Sequence, residues 1–325
     1  MKKRVAIAAA VLLIVVGGAW YWHRQQAAAK AEPLTEITFA TFSKALGNTP
    51  YHVAKYLKRF EERPELKHIH MRYVEFNDRP AISQAFDRGD LQVLFSAEIP
   101  AILNYSQGND IRIMEISGVA AQEIIVPVAS RINSVKQLRK ETVAVQAGTS
   151  SHYCLLKVLR LNSMAPSDVK ITYMLPGEAK VAFETGRLPA WAVWAPWVEQ
   201  EEVAHVGRPI QDSKANISSV MTLSANFLLK HEDVARIVIG ILQDSKKWIQ
   251  QNPDEAQQIA AKELNLDVAV VKQAWPKFDW KHHLSREDFA DFEDKAEFLA
   301  NTKQTRLDQK VDIEKLVDLR FSDNK

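Results

Sequence analysis

The sequence predicts an α/β fold of two similar lobes, each a largely parallel sheet flanked by helices, joined by two crossover segments with a ligand cleft between them. Three observations carry this reading. From Leu34 onward, short β-rich runs alternate with amphipathic helical runs, the pattern of a parallel sheet. One block then occurs twice, because Ala85, Phe86, Gly89 and Leu91 are matched by Ala182, Phe183, Gly186 and Leu188 at a constant offset of 97. A chain of 325 residues, 46% apolar and 25% charged, is also long enough for two cores.

Residues 1–31 stand apart. Lys2, Lys3 and Arg4 precede an apolar run from Val5 to Trp22, followed by His23, Arg24 and the small-residue stretch Ala27-Ala28-Ala29-Lys30-Ala31. This reads either as a signal peptide with its cleavage site or as an N-terminal membrane anchor with Trp20, Tyr21 and Trp22 at the interface. Both readings export the body to the periplasm. No cysteine lies near the end of the segment, which excludes a lipoprotein anchor. The formal charge of +2 is a property of this leader, whose five basic residues face no acid; without it the body carries three more acidic than basic residues. Such a body has no electrostatic footprint for nucleic acid. A single cysteine, Cys154, allows neither an internal disulfide nor a Cys-rich zinc site.

The first lobe opens with a strand at 37–42 and a helix near 51–60. Residues 71–91 then give a strand, a helix closed by Gly89 at its C′ position, and a further strand at 91–95. A β-rich run at 123–128 takes the chain across. The second lobe repeats the plan: a strand at 142–146, a helix from 150 to 161, a strand and helix ending at Gly186, and a strand at 190–194. In both copies the last strand runs into a loop carrying proline, Pro100 or Pro196. Residues 218–229 return the chain, and the helical C-terminal part completes the first lobe. The lobes are thus 34–124 with 222–325, and 125–221.

In open α/β sheets ligands bind beyond the carboxyl ends of the strands, so two facing lobes make one cleft lined by four loops. The first, 42–49, offers Ser43, Lys44, Asn48 and Thr49. The second, 96–100, offers Glu98, either as a ligand contact or as a solvated carboxylate. In the third, Gly148 is followed by Thr149, Ser150, Ser151 and His152 at the start of a helix, where free N–H groups, hydroxyls and the positive helix end converge. That is an anion site without formal charge, or an ordinary N-cap. The fourth loop holds Trp194 and Trp197. Strand alternation sends Trp191 and Trp194 to opposite faces, and Trp194 at the strand end is the one placed in the cleft.

Chemistry beyond binding has little support. Neither Gly-x-Ser-x-Gly nor a phosphate-loop glycine pattern occurs, so the serines beside His152 lack the setting of a hydrolase nucleophile. His68 with His70, and His282 with His283, have no carboxylate at ligand spacing, so no metal and no cofactor is expected.

These loops resemble the substrate-binding proteins of ABC importers for aliphatic sulfonates, taurine and nitrate, a type II periplasmic-binding-protein family. The segments that carry the resemblance are Tyr73-Val74-Glu75-Phe76, Gly89-Asp90-Leu91, Glu98-Ile99-Pro100, the run from Val143 to His152, and the run from Ala190 to Trp197. The resemblance implies capture of a small anionic solute, delivery to a permease in the inner membrane, and a monomer without catalysis. Ser150, Ser151 and His152 fall on the family's Ser-Ser-x-His segment, and Trp194 on its Trp-Asp-Pro. Two carboxylates common there are absent, replaced by Pro189 and Ala195, which disfavours an amino-sulfonate. Related branches bind pyrimidine precursors of thiamine, nitrate or bicarbonate; one relative makes such a pyrimidine with a cysteine-rich motif that Cys154 alone cannot supply. If His152 faces a bound anion, the anion raises the imidazole pKa and affinity falls as pH rises; if it only packs beside the cap, affinity is flat from about pH 5.5 to 8.5.

Overall fold

The computed structural model describes residues 33–302 and 311–322; the leader, with both readings of its role, lies outside them. The strands are β1 (Glu36–Phe42), β2 (His70–Phe76), β3 (Val93–Ala97), β4 (Ile111–Pro127), β5 (Thr142–Val145), β6 (Lys170–Tyr173), β7 (Ala190–Val193), β8 (Gly207–Pro209), β9 (Ala215–Ser224) and β10 (Phe278–Asp279). The helices are α1 (Thr49–Tyr56), α2 (Arg79–Asp87), α3 (Glu98–Ser106), α4 (Ser150–Leu161), α5 (Pro176–Glu184), α6 (Trp197–Val203), α7 (Ala225–Lys230), α8 (Glu232–Gln251), α9 (Pro253–Leu264), α10 (Val268–Ala274), α11 (Asp288–Asn301) and α12 (Ile313–Leu316). Among the described residues no helix is long and apolar enough to cross a membrane.

The hydrogen-bonded order is β2-β1-β3-β9-β4-β7-β5-β6, with β8 and β10 also on β4. Its two ends are the same unit. In β2-β1-β3 and in β6-β5-β7 a central strand is flanked by two parallel partners, as connections through a helix require. Antiparallel pairs occur where the crossing strands join these trios, β9 on β3 and β4 on β7. Burial follows the period of two. In β5, Val143 and Val145 enter one core and Ala144 the other; in β7, Ala190 and Ala192 enter one and Trp191 and Val193 the other. Trp191 is therefore core, and Trp194 lies past the end of the strand.

The repeated block ends both of its helices identically. Gly89 has φ +75° and Gly186 φ +73°, a region open chiefly to glycine. Asp90 N–H donates to the Ala85 carbonyl and Gly89 N–H to that of Phe86; Arg187 and Gly186 do the same to Ala182 and Phe183. These are paired Schellman closures, and the matched residues are the ones that make them, with Leu91 and Leu188 buried just beyond.

The crossing differs from two separate linkers. Strand β4 begins twelve residues ahead of the run read from sequence, at Ile111 rather than 123, and pairs antiparallel with β9 from Ile111–Ser224 to Gln122–Ala215. The crossover is thus one two-stranded ribbon, kinked by register shifts between Ile113 and Glu115 and between Ile116 and Gly118. Helix α1 ends at Tyr56, short of the expected 60, and Lys58 turns into the left-handed region beyond it.

Candidate functional site

A cavity of about 50 Å³ opens where the ribbon passes the carboxyl ends of β1, β3 and β7 and the start of α4. Its wall combines apolar side chains, among them Phe42, Pro100, Trp194, Ile217 and Phe278, with the polar Gln122, Thr149, Ser150 and Ser219. Among the described residues no ionisable side chain lines it.

Helix α4 presents the polar end. Its N-cap Thr149 accepts the His152 N–H at 3.4 Å and donates its hydroxyl to the Gln146 carbonyl at 2.7 Å. The first-turn N–H groups have no partner inside the helix, and the helix dipole adds partial positive charge there. Ser150 Oγ is buried on the cavity wall and has no hydrogen-bond partner. A buried hydroxyl without a partner costs stability unless something bound supplies one. Ser151, one residue on, points elsewhere and donates to Gln122 Oε1 at 2.7 Å, fixing the amide that lines the cavity.

Of the first loop, Ser43, Lys44, Asn48 and Thr49 do not line the cavity, whereas Phe42, Ala45 and Gly47 do. Asn48 and Thr49 turn inward to the carbonyls of Phe95 and Leu46, at 3.5 and 2.6 Å. Lys44 contributes its backbone, because its carbonyl accepts the Trp194 indole N–H at 2.8 Å. This bond spends the donor of Trp194, so the indole offers the cavity a face and no hydrogen bond. It also ties the first loop to the fourth, where Ala195 precedes a cis Pro196.

Glu98 does not line the cavity and is not solvated. It is fully buried, with Oε1 2.5 Å from Lys295 Nζ and Oε2 accepting the Ser218 N–H. Burial favours its neutral form, but Lys295, held protonated by Glu98 and Asp291, keeps a cation beside it. Glu98 thus anchors the start of α3 to β9 and α11. Sequence could not supply Lys295, which lies almost two hundred residues away.

His152 is buried in a neutral role: Nδ1 accepts the Gly148 N–H at 3.4 Å, and Nε2 lies 3.4 Å from the Tyr173 hydroxyl. Burial pulls its pKa down to about 4. Affinity for an anion is therefore expected to stay flat from about pH 5.5 to 8.5, since the ring is uncharged throughout. Calorimetric titration across that range checks this; affinity that falls with rising pH would return a charged His152 to the site.

Gln122 and Ser219 were not singled out from sequence. Both sit on the ribbon, and the signal was available: strands that cross between the halves must present some residues to the gap.

A cleft between two matched β-α-β units, closed over by a two-stranded crossover, defines the periplasmic-binding-protein fold. The chain belongs to the NMT1-like family, whose model matches residues 30–265. It is 26% identical over 279 residues to a protein of Bacillus subtilis (strain 168) named putative aliphatic sulfonates-binding protein, covering 84% of this chain and 83% of that one. A protein of the same name in Escherichia coli (strain K12) is 33% identical over 148 residues, 45% of this chain and 46% of its own. Among solved structures, the alkanesulfonate-binding protein SsuA from Xanthomonas axonopodis pv. citri, bound to MOPS, superposes with TM-score 0.77 at 22% identity over 89% of this chain and 99% of that one. The fold extends to the desulfurization enzyme DSZB, with TM-score 0.65 and 16% identity over 88% of this chain and 97% of that one, so fold alone does not separate binding from catalysis.

Proposed function

We propose that this protein is an extracytoplasmic receptor that captures a small organic sulfonate, without turning it over, and delivers it to an ABC importer. The observation that carries the reading is the buried, unpartnered Ser150 Oγ at the N-terminus of α4, in a cavity without ionisable side chains. A sulfonate is always ionised and needs donors, not a base. Ser150, the first-turn N–H groups and Gln122 provide them, while Phe42, Trp194 and Phe278 suit a short apolar tail. No carboxylate stands in the wall to pair with an ammonium, so alkanesulfonates are favoured over taurine. The lobes, 34–124 with 222–325 and 125–221, close over the ligand about the ribbon. The names of the relatives support the substrate class.

An exported serine hydrolase is not favoured. Ser150 has no base beside it, and the adjacent His152 is occupied with Gly148 and Tyr173. The test is calorimetry with methanesulfonate, butanesulfonate, taurine, nitrate and bicarbonate, with product analysis alongside. Stoichiometric binding of alkanesulfonates without turnover is expected. Ser150→Ala should weaken it by about 1–3 kcal/mol, the cost of leaving a charged acceptor one donor short. Binding only of nitrate or bicarbonate, or affinity unchanged in Ser150→Ala, would overturn the sulfonate site.

A further inference from the structure

Lys277 lies one residue before the cavity wall, between α10 and Phe278. Its Nζ is 2.8 Å from Glu199 Oε1, 3.0 Å from Glu202 Oε2 and 3.2 Å from Glu123 Oε2. Two of those carboxylates, Glu199 and Glu202, belong to the other lobe, and Glu123 stands at the crossing between the two. Glu199 and Glu202 stand on α6, which follows the loop bearing Trp194 and Ala195, and Glu123 stands on the stretch of β4 that pairs with β7. Lys277 belongs to the C-terminal part, because Phe278 and Asp279 pair with Ala120 and Val119 on the other stretch of β4. One cation therefore bridges the two halves at the rim of the cavity.

We propose that Lys277 is a positioning residue for the ligand, a clamp that holds the loop of Trp194 and Ala195 against Phe278 and keeps the cavity shut. This rests on the binding role proposed above. Glu199 and Glu123 are almost wholly buried, so their negative charge is tolerated only beside a counter-charge. Lys214, 3.3 Å from Glu123 and more than half exposed, offsets one of the three charges and Lys277 a second, while burial pushes the Glu199 pKa up and so lowers the remaining charge. Burial opposes a charged Lys277, and the surrounding carboxylates outweigh it, holding the amine protonated well above the ordinary lysine value. Without that cation, three carboxylates repel one another until the halves part and water reaches them. Contact between α6 and α10 persists, so the halves do not separate altogether.

The test uses the full chain with Lys277→Met, Lys277→Arg and Glu199→Gln/Glu202→Gln, and ethanesulfonate as probe. In Lys277→Met, ethanesulfonate release in stopped flow should accelerate on the order of tenfold while association stays within about twofold, because close charge pairs set dissociation more than encounter. Lys277→Arg should restore the slow release, a rescue that a residue needed only for packing would not give. X-ray scattering of the empty proteins should show a larger radius for Lys277→Met than for the unmodified chain. If Lys277→Met does not fold, Glu199→Gln/Glu202→Gln, which loosens the same contact without burying unpaired charge, should shift release and radius the same way. Unchanged release and radius in the folded variants would overturn the clamp. Failure of the unmodified protein to bind ethanesulfonate would instead overturn the sulfonate reading, and the scattering of the empty proteins would still decide the clamp.

Discussion

Replacing Gly47 by alanine is expected to remove most ligand affinity, by a factor of about a hundred, and to cost about 1–3 kcal/mol of stability, the usual range for overpacking a filled site. A Cβ at Gly47 would lie 1.9 Å from Ser219 Oγ and 2.7 Å from Ser219 Cβ. The hydroxyl can rotate away; the Cβ cannot. Ser219 is held in β9 between Ala97 of β3 and Gly118 of β4, so the strand has no room to retreat. The first loop must give way, carrying with it Ala45 from the cavity wall and the buried Leu46, which packs among α9 and α10. Both Gly47 and Ser219 line the cavity, so the displacement falls on the candidate site itself. Adding Ser219→Gly removes both clashing atoms and should recover much of the affinity. Calorimetry with an alkanesulfonate and urea unfolding of the single and double variants test this, and full affinity in Gly47→Ala would show that the loop and the strand do not meet as described.

Glu115→Gln should destabilise the fold by about 3–5 kcal/mol, the range for leaving a buried charge without its partner. Glu115 is completely buried at the kink of β4 and is satisfied on every side. Oε1 accepts the N–H groups of Ile116 and Leu284 at 2.8 and 3.0 Å, while Oε2 takes Gln243 Nε2 at 3.0 Å and lies 3.3 Å from His283 Nδ1. Lys246, equally buried, stands 3.5 Å away and donates to the carbonyls of Ile116 and His282, both at 2.5 Å. Burial pushes the Glu115 pKa up, yet His283, Lys246, Leu284 and Gln243 outweigh it and hold the group at about 2 against an ordinary 4.5. A folded value below the unfolded one means that this contribution is complete above pH 4.5 and is lost as pH falls toward 2. Over that window the unmodified protein should lose about 3 kcal/mol through this group, at about 1.4 kcal/mol per unit. Urea unfolding from pH 7 down to pH 2.5 measures the slope. An equally steep slope in Glu115→Gln would assign it to other carboxylates.

The sequence by itself determined the architecture, because the features that set it are local. Alternation of period two, the Schellman glycines Gly89 and Gly186, and the Thr149 cap act within a few residues, so they specify the repeated unit and the capped start of α4 without reference to the rest of the chain. Packing decided which side chains line the cavity. Thr149, Ser150 and Trp194 line the cavity as local reasoning placed them, whereas Glu98 and His152, read from the same loops, are claimed by Lys295 and by Tyr173 with Gly148. The lysine that claims Glu98 lies far off in the chain, and nothing at the level of spacing distinguishes a carboxylate that meets a ligand from one that meets a distant lysine. Gln122, Ser219 and Lys277 were hidden for the same reason. They reach the site only because β4 and β9 pair into one ribbon and the C-terminal helices fold back over it, and such long-range pairings are decided by the tertiary structure, where burial forces each polar group to find whichever partner lies nearest in space.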